Sequence, residues 1–170
     1  MKISVYIAAS ANGFISNSRN VPDWLSPEYG QGFYSICQKF KAIIMGKKSY
    51  DILAPGYLPL TTEGTTVVLT SKHEKPANET VVFTQDRPTE IAGMLKDKGY
   101  TNAVIIGGAI TISAFLKANL VDDIYFVIEP RLFKTGLPLL QDVDTDNELK
   151  LLGVEQLNDN TVQVHYAIKK

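Results

Sequence analysis

The sequence predicts an α/β fold, a mostly parallel central sheet with helices on both faces, finished by a C-terminal antiparallel hairpin. Three observations carry this. Short apolar runs rich in β-branched residues recur along the chain, helix-period stretches lie between most of them, and the last two runs flank Asn158-Asp159-Asn160, whose side chains favour a tight turn. The chain has 170 residues and is 45% hydrophobic. With no internal repeat and no Pro-, Gly- or Ser-rich linker, one domain over residues 1–170 with a sizeable core is expected.

The spacing predicts strands over 3–8, 42–45, 66–69, 81–83, 103–106 and 124–128. The first run follows Met1-Lys2 and ends among the small residues Ala8, Ala9 and Ala11, so it superficially resembles a secretory signal. Its short length and β-branched content suit a buried first strand instead. The second run breaks at Gly46-Lys47-Lys48-Ser49, and the Pro and Gly residues between Ala54 and Gly64 mark a loop. Asp86 can cap a helix that has Pro88 in its first turn and Ile91, Met94 and Leu95 on one face. After 103–106 the chain breaks at Gly107-Gly108 and continues with Ile112, Phe115, Leu116 and Leu120 at helical spacing. Leu149, Leu151 and Val154, then Val162, Val164 and Tyr166, form the hairpin, which closes one edge of the sheet.

Composition narrows the function classes. A net charge of −1 with scattered Lys and Arg offers no general attraction to nucleic acid or an acidic membrane surface. No stretch approaches the roughly 18 consecutive apolar residues of a membrane span. Cys37 is the lone cysteine, which excludes an internal disulfide and favours a reducing cytoplasm. His73 and His165 are too few and too far apart for a zinc motif, so no metal is expected.

Chemistry concentrates where strands end. At Ile106-Gly107-Gly108-Ala109-Ile110-Thr111 the adjacent glycines remove both Cβ atoms, so a phosphate can approach bare N–H groups at a helix start. Gly46-Lys47-Lys48-Ser49 repeats this arrangement and adds a hydroxyl and two cations; it lacks the second glycine of a Walker loop. Leu69-Thr70-Ser71-Lys72 ends a strand with two hydroxyls and a cation, which suit a ribose phosphate monoester, whereas a free 2′-hydroxyl would call for an acid. Each segment alone also fits an ordinary solvated turn.

Together with Ala8-Ala9-Ser10-Ala11-Asn12-Gly13-Phe14-Ile15, these pieces resemble the dihydrofolate reductase-like superfamily, and within it the branch holding the riboflavin-biosynthesis reductase domain and its small stand-alone relatives. The start is similar to A-x-S-x-D-G-x-I with Asn12 at the usual Asp. Met45 to Tyr50 is similar to M-G-R-x-T-[YW], and Leu69-Thr70-Ser71 to L-S-[ST]. Gly107-Gly108, Phe115 to Asp123 and Glu129 to Leu139 look like GG…LL-x-x-x-L-V-D-E…P-x-L-x-G-x-G-x-P-L.

The resemblance implies the three-layer dihydrofolate reductase-like fold and NADPH as cofactor. Ala8 would hold the nicotinamide amide, and Ile15 would lie beside its ring. Gly46, Lys47, Lys48 and Ser49 would take the pyrophosphate from one side. Ile106, Gly107, Gly108, Ala109, Ile110 and Thr111 would take it from the other, with a cis bond between Gly107 and Gly108. Leu69, Thr70, Ser71 and Lys72 would meet the adenosine 2′-phosphate. The implied activity is that of an NADPH-dependent oxidoreductase acting on a pyrimidine or pterin-like heterocycle, as in 5-amino-6-(5-phosphoribosylamino)uracil reductases, in a cytoplasmic homodimer.

On the substrate side the chain departs from folate reductases. Counting from Trp24 puts Tyr29 where they carry a carboxylate, with Glu28 adjacent and about 100° away around a helix. No Lys or Arg occurs from Ser49 to Ser71, where they clamp the folate tail, and Ile106 replaces the acid that riboflavin-branch enzymes place before the glycines. Trp24, Tyr29 and Tyr50 are candidates to line a planar substrate, and Glu28 is the candidate catalytic acid. Glu129 either faces a cleft or ends its strand; Asp122 and Asp123 are expected to be structural. Besides a reductase, two other readings remain: a nucleotide-binding module without turnover, and a structural domain whose glycines serve packing.

Overall fold

The computed structural model describes residues 1–72, 74, 79–143 and 146–170; His73 lies outside them. In chain order the elements are β1 (Lys2–Ser10), β2 (Phe14–Asn17), α1 (Pro27–Phe40), β3 (Ala42–Gly46), α2 (Lys47–Leu53), β4 (Thr65–Leu69), β5 (Val81–Thr84), α3 (Pro88–Asp97), β6 (Asn102–Ile105), α4 (Ala109–Lys117), β7 (Asp123–Glu129), β8 (Gly136–Pro138), β9 (Leu149–Gln156) and β10 (Val162–Ile168). The central sheet has 8 strands in the order β5-β4-β3-β6-β1-β7-β10-β9. Pairings from β5 to β7 are parallel. β10 and β9 join antiparallel, so the hairpin closes one edge as its sequence predicts.

Side-chain alternation along β1 separates the layers. Ile3, Val5 and Ile7 pack with Ile91 and Leu95 of α3 and with Ile112 and Phe115 of α4. Tyr6 and Ala8 face the other way, into a cluster with Tyr29 and Cys37 of α1 and with Tyr50 and Leu53 of α2. Tyr6 fits because Gly32 carries no side chain; a Cβ there would collide with the Tyr6 hydroxyl.

Two helix boundaries correct the sequence reading. The N-cap of α3 is Arg87, with φ −72° and ψ 155°, rather than Asp86. Pro88 pushes the residue before it into extended backbone, and the Glu90 carboxylate accepts the Arg87 N–H at 2.8 Å. Leu120 lies beyond α4, which ends at Lys117, yet it still packs on the core. The sequence reading also missed the two-stranded ribbon of β2 and β8, whose strands are too short to show a period.

At the start of β7, Asp123 is buried and its neighbour Asp122 is half-buried. Asp122 accepts the Ile3 N–H at 2.7 Å, and the Asp123 carboxylate lies 2.6 Å from Lys2 and 2.8 Å from His165, which makes both structural. Burial opposes the charge on Asp123, but the hydrogen bonds to Lys2 and His165 outweigh it and hold the carboxyl below the ordinary range.

Candidate active site

The sheet order places the C-terminal ends of β4, β3, β6, β1 and β7 side by side, the usual place for a ligand cleft in an open α/β sheet. The two glycine turns touch there. The Gly46 N–H donates to the Gly107 carbonyl at 2.9 Å, and the Ile106 N–H donates to Ile44 at 3.0 Å. A Cβ on Gly46 would come within 2.9 Å of the Thr111 hydroxyl, so glycine is required for the start of α2 to pack on the first turn of α4. The Gly107–Gly108 peptide is cis, as the resemblance implies, and Gly107 has φ +118°, a conformation that favours glycine.

At Gly107 and Gly108 the polar side chain within reach is Ser49. A Cβ on Gly107 or Gly108 would lie 3.5 Å or 3.7 Å from its hydroxyl, so the backbone forms a concavity with little side-chain bulk over it. Ala109 and Thr111 are buried whereas Ile110 is exposed, so α4 begins with its backbone at the cleft. A dinucleotide fits these observations: bare amides, one hydroxyl and the positive end of α4 converge where a pyrophosphate would lie.

Past the C-terminal end of β4 the charges are already paired. Lys47 lies 2.6 Å from Asp51 and 3.4 Å from Glu74. The Thr70 hydroxyl donates to Glu74 at 3.5 Å and accepts the Lys72 N–H at 3.2 Å. Lys48, Ser71 and Lys72 are exposed at the rim. Sequence reasoning missed Glu74, although an acid just past a strand end is the signal that would have found it.

Where α1 packs on the sheet, the side chains are rings. Tyr6 and Tyr29 stack with centroids 5.4 Å apart, and Phe33 and Tyr125 lean on Tyr6 at 6.4 and 6.3 Å. Tyr29 and Trp24 are each only 8% exposed. Trp24 meets Phe133 edge-on at 5.1 Å, as Tyr50 meets Phe83. Burial pushes the phenols of Tyr6 and Tyr29 well above their ordinary value, so both are neutral hydrogen-bonding groups at any physiological pH. Ile15 is half-buried against the opposite core face, at the sheet end that Ala8 approaches.

Glu28 does not join these rings. Its carboxylate accepts the Asn158 side-chain amide at 2.8 Å and lines a recess of about 410 Å³ with Trp24, Ser26, Glu129 and Arg131. Ser26 caps α1 by accepting the Tyr29 N–H at 3.2 Å, which fixes the helix rotation; Tyr29 then points to the sheet and Glu28 to the β9–β10 turn. Glu129 both faces this recess and ends its strand. It is 1% exposed and accepts the Ser26 N–H at 2.9 Å, the Ser26 hydroxyl at 2.8 Å and the Thr161 hydroxyl at 3.2 Å.

A mostly parallel sheet between two helical layers, with the cleft at the junction of two glycine turns, defines a dihydrofolate reductase-like protein. Dihydrofolate reductase from Enterococcus faecalis, solved with NADP(H), superposes with a TM-score of 0.74 at 19% identity over 99% of this chain and 97% of that one, a likeness of fold. The chain belongs to the RibD C-terminal domain family, whose model matches residues 1–163. A Shewanella sp. PV-4 protein ascribed to riboflavin biosynthesis superposes with a TM-score of 0.87 at 25% identity, covering 100% of both chains. The uncharacterized protein YwjB of Bacillus subtilis is 28% identical over 172 residues, 98% of this chain and 97% of that protein. Family and neighbours together give a reductase-type fold, and no helix among the described residues is long and apolar enough to cross a membrane.

Proposed function

We propose that the protein is an NADPH-dependent reductase that passes hydride from nicotinamide C4 to a small pyrimidine or pterin-like heterocycle. The contact between Gly46 and Gly107, which joins two bare-amide turns into one concavity, carries this reading. The coenzyme supplies the hydride, and the chain binds and orients. Gly46, Ser49 and the turn from Ile106 to Thr111 hold the pyrophosphate, while Ala8 and Ile15 flank the nicotinamide. Trp24, Tyr29 and Tyr50 line the acceptor. Tyr29 supports a neutral hydrogen bond to it rather than a charge-assisted one, which favours an uncharged acceptor over a protonated pterin. In this reading Glu28, engaged by Asn158, positions α1, and water supplies the proton.

Fluorescence titration with NADPH is the first test; no quenching or enhancement at high micromolar coenzyme would refute a dinucleotide site. Loss of NADPH absorbance against dihydrofolate, pterins, pyrimidine ribosylamines and quinones then tests turnover. The missing carboxylate at Tyr29 favours one second reading, a nucleotide-binding module without turnover, and binding with no oxidation across that panel would select it.

The same proposal includes a homodimer in the reducing cytoplasm. Edge strand β9 leaves Leu151, Leu152 and Val154 between 50% and 63% exposed beside unpaired backbone groups, the kind of edge that a second copy covers. The buried free thiol of Cys37 suits a reducing compartment. Sedimentation equilibrium giving the monomer mass at micromolar protein would reject the dimer.

A further inference from the structure

The cation at the adenosine end is already engaged by the chain itself. Asp51, one helical turn from Lys47, is an ordinary neighbour on α2. Glu74 is different in kind. It returns from beyond β4 to lie 3.4 Å from the Lys47 ammonium while accepting the Thr70 hydroxyl at 3.5 Å. Lys47, which the resemblance gives to the pyrophosphate, here meets the Thr70 side of the site, so a cation and a hydroxyl suited to a ribose 2′-phosphate converge on a carboxylate of this chain, as they would on a phosphate oxygen. That carboxylate also has chemistry of its own: it accepts a hydrogen bond from a free 2′-hydroxyl and repels a phosphate dianion at the same place.

We infer that Glu74 is the coenzyme-selecting residue, standing in the 2′ subsite between Lys47 and Thr70. NADPH binds there only by displacing the Glu74 carboxylate from Lys47, whereas NADH binds with it in place as the acceptor for the 2′-hydroxyl. Glu74 therefore narrows the advantage of NADPH that Lys47, Thr70, Ser71 and Lys72 would otherwise create. The inference rests on the dinucleotide reading of the cleft.

Glu74→Gln tests it, since the amide keeps size and hydrogen bonding but removes the charge. The Glu74 side chain is 28% exposed, so the fold should survive, and the circular dichroism melt checks this. Dissociation constants for NADPH and NADH, read by fluorescence on the whole chain, should show NADPH tightening about tenfold and NADH staying within about twofold. The gain should shrink to about twofold in molar salt, a screening effect that a purely structural role would not produce. Equal shifts for both coenzymes, or no shift for NADPH, would overturn the assignment of Glu74 while leaving the cleft intact. Failure of both coenzymes to bind wild type and variant alike would instead overturn the dinucleotide reading, and Glu74 with it.

Discussion

The two walls of the cleft are made of different material. The wall proposed for the phosphates is backbone: Gly46, Gly107 and Gly108 bring no side chain to it, and its tight contacts are main-chain bonds such as the Gly46 N–H to the Gly107 carbonyl at 2.9 Å. The wall proposed for the acceptor is side chain, a stack of Tyr6, Tyr29 and Phe33 beside Trp24. A backbone site tolerates drift at most side chains but fails when a Cβ fills it. A side-chain site can be retuned residue by residue, which is where members of one fold would diverge in substrate.

The largest effect that would break this contrast is expected at Gly108. Its φ of −88° is open to any residue, and an added Cβ would meet only the Ser49 hydroxyl at 3.7 Å, so Gly108→Val should fold. The new side chain covers the amides, and NADPH affinity should fall at least about a hundredfold, near 2.8 kcal/mol. Unchanged affinity in a folded variant would place the phosphates elsewhere. Gly107 is a poorer probe because its φ of +118° makes any side chain strained.

Next in size is Tyr29→Phe, which removes one hydroxyl from the acceptor wall and nothing from the phosphate wall. Turnover of whichever acceptor the panel identifies should drop about tenfold, the scale of one hydrogen bond, with NADPH affinity within about twofold. If coenzyme binding falls as much as turnover, the two walls are not separate.

The effect that is smallest per unit change is on stability in alkali, and it belongs to the ring cluster. Burial pushes the Cys37 thiol from its usual 9.0 up to about 12, and it raises Tyr6 and Tyr29 in the same cluster. A group whose pKa is raised on folding contributes stability that is complete below its unfolded pKa and lost as pH climbs through the folded one. Urea unfolding should therefore be level up to about pH 8.5 and lose about 1 kcal/mol per pH unit for each such group above its unfolded pKa. Cys37→Ala should flatten the first part of that slope; an unaltered slope would mean that the thiol is not the group responsible.

Legibility in the sequence follows the same division. The strands of the parallel sheet and the hairpin were readable, because each depends on a few contiguous residues, and the cis Gly107–Gly108 peptide followed from the family resemblance; the short strands β2 and β8 were not readable. Glu74 carried the signal of an acid just past a strand end, but its pairing with Lys47 was not readable, since that depends on the fold bringing it back to the start of α2. Glu28 was readable as an acid near Trp24, but its orientation was not; that required the Ser26 cap and Asn158 from the far hairpin.

By itself, then, the sequence determined the layering and the two glycine turns, through side-chain periodicity and the conformations open to glycine. Only the tertiary structure decided how the acids are used. Glu129 is sealed by Ser26, 103 residues distant, and Glu28 is turned toward Asn158, 130 residues away. Contacts of that range depend on how the strands are ordered in the sheet. Local propensity does not encode that order, and burial makes it costly to leave such carboxylates without partners.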